Sequence, residues 1–545
     1  MPFRFDVESL FIDPWKTLAL VALVTVVVFI FYKPNRNLPP GPKGLPVLGN
    51  VFQLPRTQQF LRFTEWKEEF GMSFKLQSSP TLIILAGPIF SLNLAGQTVV
   101  VLNSHKVAGD LLDRRSAIYS DRPRFIMAGE ILSRGLLIGL CGYGDLLRKL
   151  RKATHEGFNT RASEAYQPIQ EKEAAVLVDS MLKDPNSWIA HLERSAASTI
   201  LTALYGMESV QSKDDPLVAR INDCMHRLTR ACMPGSYLVE FLPIMKYLPE
   251  ALAPWKKEGN EWYNKDTAMF QGFLDEVQSK VNAGQAKLTF AARLLEQKSG
   301  QLSTTEASWL SGALFMAGSE TTAGALTIFI LAMRLYPNVM EKAQAEIDAV
   351  VGRDRLPTFE DRDHLPYIQA IVEEVLRWRP IAPLGLPRRA MKDDFYEGYF
   401  IPKGSLVLEN IWAMNHDPTI FLDHDEFRPE RFLDKTSAVN VVPTDTRNHR
   451  HVSFGFGRRI CCGLNLANQS LFIDIASLLW AASIEPAYDE TGAEIIPSSM
   501  ELLDEGSVVR PIPFKCNIVP RSKDVNAVLE VAQRSYGDER PLTSD

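Results

Sequence analysis

FGFGRRICCG, from Phe454 to Gly463, is the most informative stretch of this sequence of 545 residues. Two glycines and a pair of arginines precede the cysteines, and a helical-looking run, residues 464–480, follows Gly463. Glycine adopts backbone angles that other residues avoid, and it lets a flat ligand approach the main chain closely. The pattern therefore predicts a tight loop that holds one cysteine in place at the start of a helix.

Two interpretations of the adjacent cysteines, Cys461 and Cys462, have to be compared. A free cysteine is most often a small buried hydrophobe, and an adjacent pair forms neither a zinc site nor a normal disulfide. Alternatively, a single thiolate can hold a haem iron and supply the electron density that favours cleavage of an O–O bond. Arg458 and Arg459 would then stabilise the thiolate or meet the carboxylates of the haem.

The stretch resembles the haem signature of the cytochrome P450 family, Phe-x-x-Gly-x-Arg-x-Cys-x-Gly, at Phe454, Gly457, Arg459, Cys461 and Gly463. The resemblance implies that these five residues bind haem b, iron protoporphyrin IX, with Cys461 as the axial iron ligand. It also implies the fold of that family, which is mainly α-helical with small β-sheets.

Composition bounds the remaining possibilities. A net charge of -6 gives no hint of a nucleic-acid partner, and six cysteines without framework spacing favour a reducing compartment. Without repeats or long flexible linkers, one large domain is expected. We therefore predict a membrane anchor in residues 1–33, a Pro/Gly-rich hinge in 34–50, a haem-thiolate monooxygenase domain in 51–521 and a polar C-terminal tail in 522–545.

The anchor prediction rests on an uncharged apolar run, Thr17 to Tyr32, flanked by Lys16 and Lys33. Its sixteen residues would cover about 24 Å as a helix, and flanking lysines can close the remaining gap to a bilayer core. The preceding segment lacks the basic character of a signal peptide. More basic residues follow the run than precede it, so a single-pass anchor in the endoplasmic reticulum membrane with a cytosolic catalytic domain is expected.

A long central helix is predicted from a capping box, Ser303 and Glu306, in front of an apolar run that ends at Tyr336 and Pro337. Within the run, the segment AGSETT, residues 317–322, interrupts the apolar pattern. A mid-helix glycine costs about 1 kcal/mol relative to alanine, so this interruption requires an explanation.

One explanation for AGSETT is local, since threonine can bond the carbonyl one turn back. The other is functional, and it is supported by the resemblance to the family motif Ala/Gly-Gly-x-Asp/Glu-Thr-Thr/Ser. In that interpretation Ala317 and Gly318 leave room for the haem and dioxygen, Thr321 donates a hydrogen bond to the dioxygen, and Glu320 relays protons.

Further motifs of the family follow in order. The sequence EEVLR places Glu374 and Arg377 one turn apart, and the loop FRPERF supplies Arg431; the resemblance implies a buried structural triad that supports the haem loop. It also assigns Arg151 and Arg388 to the haem propionates. Leu147 stands where relatives usually have a tryptophan, which leaves one propionate hydrogen bond without its usual donor.

The resemblance implies a monooxygenase that inserts one oxygen atom of dioxygen into a lipophilic small molecule, of the kind that fungal members modify in secondary metabolism. Electrons would come from NADPH through a separate cytochrome P450 reductase, with cytochrome b5 as a second donor, because the sequence contains no dinucleotide or flavin fingerprint. Two alternatives stay open: a haem-thiolate isomerase or dehydratase that needs no dioxygen, and a non-catalytic haem-binding membrane protein.

Overall fold

A computed structural model of the chain describes residues 17–18, 21, 37–70, 73–74, 83–84, 87–212, 214–285, 287–296, 302–433, 450–506 and 508–537. Apart from three positions, the predicted anchor lies outside these residues and stays a prediction. Of the helices in the described part, one is long and apolar enough to cross a membrane, Thr304–Leu335, but it is mostly buried within the protein.

The described residues form sixteen α-helices, labelled in chain order. They are α1 Gln59–Glu69, α2 His105–Ala108, α3 Ser116–Tyr119, α4 Asp145–Phe158, α5 Thr160–Glu164, α6 Gln167–Lys183, α7 Trp188–Tyr205, α8 Pro216–Cys232, α9 Pro254–Asn282, α10 Phe290–Glu296, α11 Thr304–Leu335, α12 Pro337–Val350, α13 Pro366–Trp378, α14 Ile411–Asn415, α15 Leu464–Ala481 and α16 Val525–Gly537.

Short 3₁₀ or π segments occupy several connections: Val51–Gln53, Gly109–Arg114, Ile126–Leu132, Pro185–Ser187, Leu238–Glu240, Pro243–Tyr247, Glu250–Leu252, Phe359–His364, Pro429–Phe432 and Gly457–Arg459. The strands are equally short. They are β1 Ser73–Phe74, β2 Ile83–Ile84, β3 Ile89–Leu94, β4 Gln97–Leu102, β5 Arg388–Arg389, β6 Asp394–Tyr396, β7 Tyr399–Ile401, β8 Leu406–Glu409, β9 Ala482–Glu485, β10 Ala487–Tyr488, β11 Glu494–Ile495, β12 Leu502–Asp504, β13 Val509–Pro511 and β14 Asn517–Pro520.

One sheet has four strands, in the order β3-β4-β8-β5, with β4 and β8 parallel and the other neighbours antiparallel. The other strands of the described residues form two-stranded antiparallel sheets: β1-β2, β6-β7, β9-β14, β10-β11 and β12-β13. The expected fold class, mainly α-helical with small β-sheets, is therefore confirmed.

Helix α11 organises the interior. Ser303 accepts from the Glu306 amide while the Glu306 carboxylate accepts from the Ser303 amide, so the predicted capping box is present. The first half of the helix, up to Met316, belongs to a hydrophobic core shared with α7, α8 and α9. The second half, from Ala325, belongs to another core, shared with α6, α13 and α15. The AGSETT segment lies between the two cores.

The C-terminal segment differs from the expected polar tail. Residues 525–537 form α16, which packs against α6, and its Val525 and Leu529 are almost fully buried in the second core. An apolar pair four residues apart lies on one face of a helix and can be covered by a neighbour. The sequence alone did not reveal this apolar face, because apolar residues also occur on another face of the helix, where Val531 is exposed.

Candidate active site

The cysteine loop is held by close main-chain contacts. The Cys461 amide donates to the Phe454 carbonyl at 2.9 Å, and the Gly457 amide donates to the Asp113 carboxylate. Gly457 has a φ of +56°, and a Cβ there would lie 2.0 Å from the Leu112 carbonyl oxygen. Only glycine can occupy this position, which explains the glycine before the arginine pair.

Cys461 borders an internal space. Its side chain is exposed although it lies deep within the protein, while Phe456 and Ile460 beside it are buried. Burial raises the pKa of the Cys461 thiol to about 12, with a further contribution from Cys462 that Arg151 opposes. Nucleophilic cysteines have lowered pKa values, so this thiol is not an activated nucleophile. A thiol bound to a metal is deprotonated by the metal itself.

Gly463 provides a test of whether a flat group fits beside the cysteine. It caps the start of α15 with a φ of -93°, which any residue can adopt, and a Cβ there would meet no protein atom within 4 Å. Neither the backbone nor the packing of the described residues requires glycine at this position. Room left next to Cys461 fits a planar ligand that approaches the main chain.

Two buried arginines, Arg122 and Arg388, and the partly buried Arg459 lie close enough to repel one another. Burial lowers the pKa of Arg122 well below its usual range, and the charges of Arg459 and Arg388 lower it further. Burial likewise lowers the pKa of Arg459 to about 10. Unpaired buried charge is costly, so this cluster is suited to a ligand that brings anionic groups.

Arg388 carries the clearest sign of such a ligand. Its Nη2 donates to Glu409 and to the Phe456 carbonyl, both at 3.0 Å. Its Nε and Nη1 are buried and have no hydrogen-bond partner among the described residues. Hydrogen bonds from a guanidinium to a carboxylate are charge-assisted and strong, so each of the two free donors is suited to an oxygen of a haem propionate. The predicted role of Arg388 is supported by this geometry.

Arg459 and Arg151 reach main-chain oxygens instead. Arg459 donates to the carbonyls of Ser120, Ile138 and Cys141, so it fastens the segment before α4 to the cysteine loop. Arg151 donates to the Ile460 carbonyl at 2.7 Å. Both were expected to bind the haem directly, and in the structure their hydrogen bonds support the loop that carries Cys461.

Sequence reasoning missed Arg122. It belongs to the stretch DRPR, residues 121–124, to which the sequence analysis assigned no role in the site. Its guanidinium holds the carbonyls of Gly139, Leu386 and Pro387 and lies within electrostatic range of the other two arginines. An arginine beside a proline gives no sign of burial on its own, and only the position of Arg388 in the fold reveals the cluster.

The AGSETT segment, residues 317–322, interrupts the burial of helix α11. From Ala307 to Arg334, a stretch described without gaps, every residue is buried except Ala317, Gly318, Glu320, Thr321 and Thr322. Ala317 is exposed. Helix α11 also packs against α15, the helix that follows Cys461. The polar break therefore faces open space in the interior, on a helix in contact with the one that begins at the cysteine loop.

Within the break, each predicted residue has a defined environment. Thr321 Oγ1 donates to the Ala317 carbonyl at 2.7 Å, the local bond that sequence analysis had considered. A Cβ on Gly318 would lie 3.2 Å from Ile200 of α7. The small size of Gly318 thus favours close packing of α11 against α7, and Ala317 is exposed. The expectation that Ala317 and Gly318 leave room for the haem stays a prediction.

Glu320 lies on another side of the break. Burial raises the pKa of its carboxyl, and the charges of Glu505 and Glu193 raise it further, while Arg510 and His226 lower it. A raised pKa favours the protonated form of the carboxyl. The sequence indicated Glu320 but none of the four charged residues around it.

The structural triad is assembled. Arg377 donates from Nε and Nη2 to the two oxygens of Glu374 at 2.6 and 2.9 Å, and Arg431 Nε donates to the same carboxylate at 3.1 Å. All three side chains are at most 4% exposed. Arg377 also donates to the Asn415 carbonyl, and the Asn415 side chain binds Ser453 next to the cysteine loop. The triad is therefore connected to the loop by a short chain of hydrogen bonds.

Comparison with known proteins agrees with this geometry. Residues 39–505 match the family model "Cytochrome P450". Cytochrome P450 monooxygenase 253 of Postia placenta is 54% identical over 516 residues, covering 94% of this chain and 95% of the relative. Cytochrome P450 monooxygenase ARMGADRAFT_1018420 of Armillaria gallica is 45% identical over 525 residues, with 96% and 97% covered. Cytochrome P450 monooxygenase claR of Ampulloclitocybe clavipes is 37% identical over 521 residues, with 94% and 93% covered.

The loop with an exposed cysteine, the buried Arg388 with its free donors and the polar break in the central helix are thus found in a chain that matches this family over most of its length. Relatives named as monooxygenases cover the same span. The protein is therefore a member of the cytochrome P450 monooxygenase family.

Proposed function

We propose that the protein is a membrane-bound haem-thiolate monooxygenase that uses dioxygen and NADPH-derived electrons to oxidise a lipophilic small molecule. The observation that carries this proposal is the polar break in α11 between two hydrophobic cores, where Ala317 is exposed, Thr321 is partly exposed and the acid Glu320 lies at the next position. Haem binding alone would not require an acid and a hydroxyl on that helix. A reaction that consumes protons does.

The residues have separate roles in this proposal. Cys461 holds the iron, and the free Nε and Nη1 of Arg388 hold a propionate. Bound haem supplies the activation of dioxygen, for which an electron-rich thiolate ligand is suited. Thr321 holds a proton at Oγ1, and Glu320 exchanges protons with it. The cores on both sides of the break exclude water from the reacting groups.

The hydrogen bond of Thr321 is compatible with this role. A hydroxyl that donates to the carbonyl one turn back can rotate its hydrogen towards a better acceptor, since a hydroxyl both donates and accepts. Thr327 makes the same bond to Ala323 at 2.9 Å, but it is buried in the second core. In this proposal, Thr321 is the catalytic threonine of α11 and Thr327, which makes the same local bond, is a structural one.

The substrate class follows from the relatives and from the surroundings of the break. The relatives are fungal monooxygenases, and we propose a lipophilic compound of secondary metabolism as the substrate. The break is bordered by apolar residues of α7 and α11, such as Ile200, Phe315 and Met316. Apolar walls with a few polar groups are typical of sites for such ligands.

Electrons would reach the haem from NADPH through a cytochrome P450 reductase, with cytochrome b5 as a second donor. Lys149 and Lys152 on α4 and Arg458 in the cysteine loop are exposed, so they present positive charge on the side of the protein where Cys461 lies. Positive charge of this kind favours association with an acidic partner surface. Charge reversal at Lys149 and Lys152 should slow reduction by the reductase, and unchanged reduction would contradict this docking site.

Attachment to the endoplasmic reticulum membrane is supported by exposed apolar side chains between α8 and α9. Large apolar patches on a soluble surface usually mark an interaction site. Six large apolar residues in this connection are between 55% and 76% exposed: Leu238, Phe241, Leu242, Ile244, Tyr247 and Leu252. Removal of residues 1–33 should weaken membrane attachment, and serine at Phe241 and Ile244 should weaken it further.

The function is tested with the full chain and a reductase in vesicles. Lipophilic compounds are first screened for a spectral change of the haem, and those that bind are incubated with NADPH and isotopically labelled dioxygen. The proposal predicts NADPH-dependent product that carries one labelled oxygen. Turnover without NADPH would indicate an isomerase or dehydratase, and binding without turnover a non-catalytic carrier; either would contradict the proposal.

The matched pair Thr321→Val and Thr327→Val tests the role of the hydroxyl. Each variant removes one local hydrogen bond within α11. Thr321→Val should release most of the consumed electrons as peroxide, whereas Thr327→Val should leave the product formed per NADPH unchanged. Equal effects would contradict a catalytic role of Thr321.

A further inference from the structure

Glu320 faces a group of charged side chains that the proposed reaction has not yet used. We call Glu193, His226, Glu505 and Arg510 the charged cluster. Glu193 lies on α7, His226 on α8, and Glu505 and Arg510 on the hairpin of β12 and β13. All four lie within electrostatic range of the Glu320 carboxyl.

Arg510 joins the two glutamates of the charged cluster. Its Nη1 lies 3.1 Å from Glu193 Oε1, and its Nη2 lies 3.2 Å from Glu505 Oε2. The second contact is not aligned as a hydrogen bond, because the buried Glu505 Oε2 accepts none from the described residues. One arginine therefore orients two carboxylates and leaves one oxygen of Glu505 able to take up a proton.

The fold holds this hairpin against the central helix. Strand β13 packs along α11, and the Val509 amide donates to the Ile381 carbonyl beside Gly324. At the tip, a Cβ on Gly506 would lie 2.7 Å from Met233, just after α8. The hairpin therefore packs against α11 along β13 and against Met233 at its tip, which places Glu505 and Arg510 within electrostatic range of Glu320.

The charged cluster also reaches the surface. The Glu193 side chain is 45% exposed and His226 is exposed, whereas Glu320 is mostly buried. A buried acid that gives up a proton in each reaction cycle must regain it from water. The exposed members of the charged cluster are titratable groups that connect Glu320 with the solvent.

We infer that the charged cluster is the route by which Glu320 regains protons, with Arg510 as the positioning residue. The inference rests on the monooxygenase function proposed above. In that reaction one oxygen atom enters the product and the other leaves as water, which consumes two electrons and two protons. Each proton that leaves Glu320 is replaced from bulk water through a carboxyl of Glu193 or Glu505. The guanidinium of Arg510 keeps its own proton and transfers none.

The first test needs no turnover. The infrared band of the protonated Glu320 carboxyl is identified by difference against Glu320→Gln and followed with pH in the full-length protein. Arg510→Gln removes a positive charge and should move the midpoint of this band to higher pH. Glu505→Gln and Glu193→Gln remove negative charges and should move it to lower pH. Unchanged midpoints in all three variants would overturn the inference, whatever the enzyme catalyses.

The second test separates proton supply from the other steps. Hydrogen peroxide brings the oxygen together with its two electrons and two protons, so peroxide-supported oxidation does not need the route. With a lipophilic substrate found by the haem spectral screen, Arg510→Gln and Glu505→Gln should lower NADPH-supported product formation about fivefold or more, a part of the about 10²–10⁴-fold that positioned proton transfer typically contributes. Peroxide-supported product formation should change less than about twofold.

Arg521→Gln is the matched control. Arg521 is also partly buried and bound to a carboxylate, Asp348 at 2.7 Å, but it directly follows β14 and is not among the charged residues that act on Glu320. It should leave the ratio of NADPH-supported to peroxide-supported product unchanged. An equal fall of both activities in Arg510→Gln, or the same change of ratio in Arg521→Gln, would show that Arg510 acts only through stability and would overturn its positioning role.

Discussion

Replacement of Glu374 by glutamine is the perturbation whose effect on stability can be worked out most fully. The carboxylate is 0% exposed and accepts from Arg377 Nε and Nη2, from Arg431 Nε and from the Arg428 amide, at 2.6 to 3.1 Å. Glutamine keeps the shape of the side chain, but it removes the negative charge and turns one acceptor into a donor. Two buried guanidinium groups then lose their counter-charge.

The size of the effect follows from the cost of an unpaired buried charge. Removal of one partner of a buried ion pair typically costs about 3–5 kcal/mol. Unfolding entropy near 60 °C is about 2.1 cal/mol/K per residue, or about 1.1 kcal/mol/K for 545 residues. Glu374→Gln should therefore lower the Tm by about 3–4 °C. Because the triad is connected to the cysteine loop through Asn415, the variant should also lose haem faster on dilution.

A neighbouring ion pair serves as the control. Asp423 lies 3.1 Å from Arg428 in the same region, but both side chains are about half exposed. Exposed pairs contribute about 0–1 kcal/mol, so Asp423→Asn should shift the Tm by less than about 1 °C. Differential scanning calorimetry of both holoenzymes checks the prediction. Equal shifts, or a Glu374→Gln shift below about 1 °C, would refute the idea that the buried charges need this carboxylate.

Three further predictions concern single positions. Gly457→Ala should prevent the loop from forming, because its Cβ would lie 2.0 Å from a carbonyl oxygen. Gly463→Ala, in contrast, should leave the Tm of the haem-free protein unchanged and reduce the haem bound per chain. If both variants changed the Tm and the bound haem equally, the space assigned beside Gly463 would be contradicted. Arg388→Gln should lower haem affinity measured by transfer of haem to a competing protein, and unchanged transfer would contradict the role of its two free donors. Burial raises the pKa of Asp474 to about 8, so this carboxyl binds its proton more tightly in the folded protein. Its contribution to stability is therefore full below about pH 4 and is lost as the pH rises to about 8. Asp474→Asn should raise the Tm at pH 8 and not at pH 4, and a rise in Tm that is independent of pH would contradict this assignment.

Local rules predicted a large share of the fold. The capping box at Ser303 and Glu306 predicted the start of α11, and the three-residue spacing of Glu374 and Arg377 predicted that they lie one turn apart, as they do on α13. These signals involve residues a few positions apart, so they can be interpreted without the tertiary structure. Glu374 and Arg431 are far apart in the sequence, and it was the family resemblance that indicated the contact between them; the structure brings them together.

The remaining features depend on contacts that no local pattern encodes. The sequence does not show which side chain lies opposite Gly318; the packing of α7 places Ile200 there, and the expected contact of Gly318 with the haem stays a prediction. Arg122 is significant only because the fold buries it beside Arg388. The helix α16 escaped prediction for a similar reason, since its apolar face is short and is covered by α6.

The carbon monoxide difference spectrum of the reduced Cys461→Ser protein tests the central claim most directly. If the sulfur of residue 461 is the iron ligand, the variant either binds no haem or binds it with a spectrum that lacks the band of a thiolate-ligated haem, while Cys462→Ser keeps that band. A Cys461→Ser protein that binds haem with the same carbon monoxide spectrum as the natural chain would contradict the account.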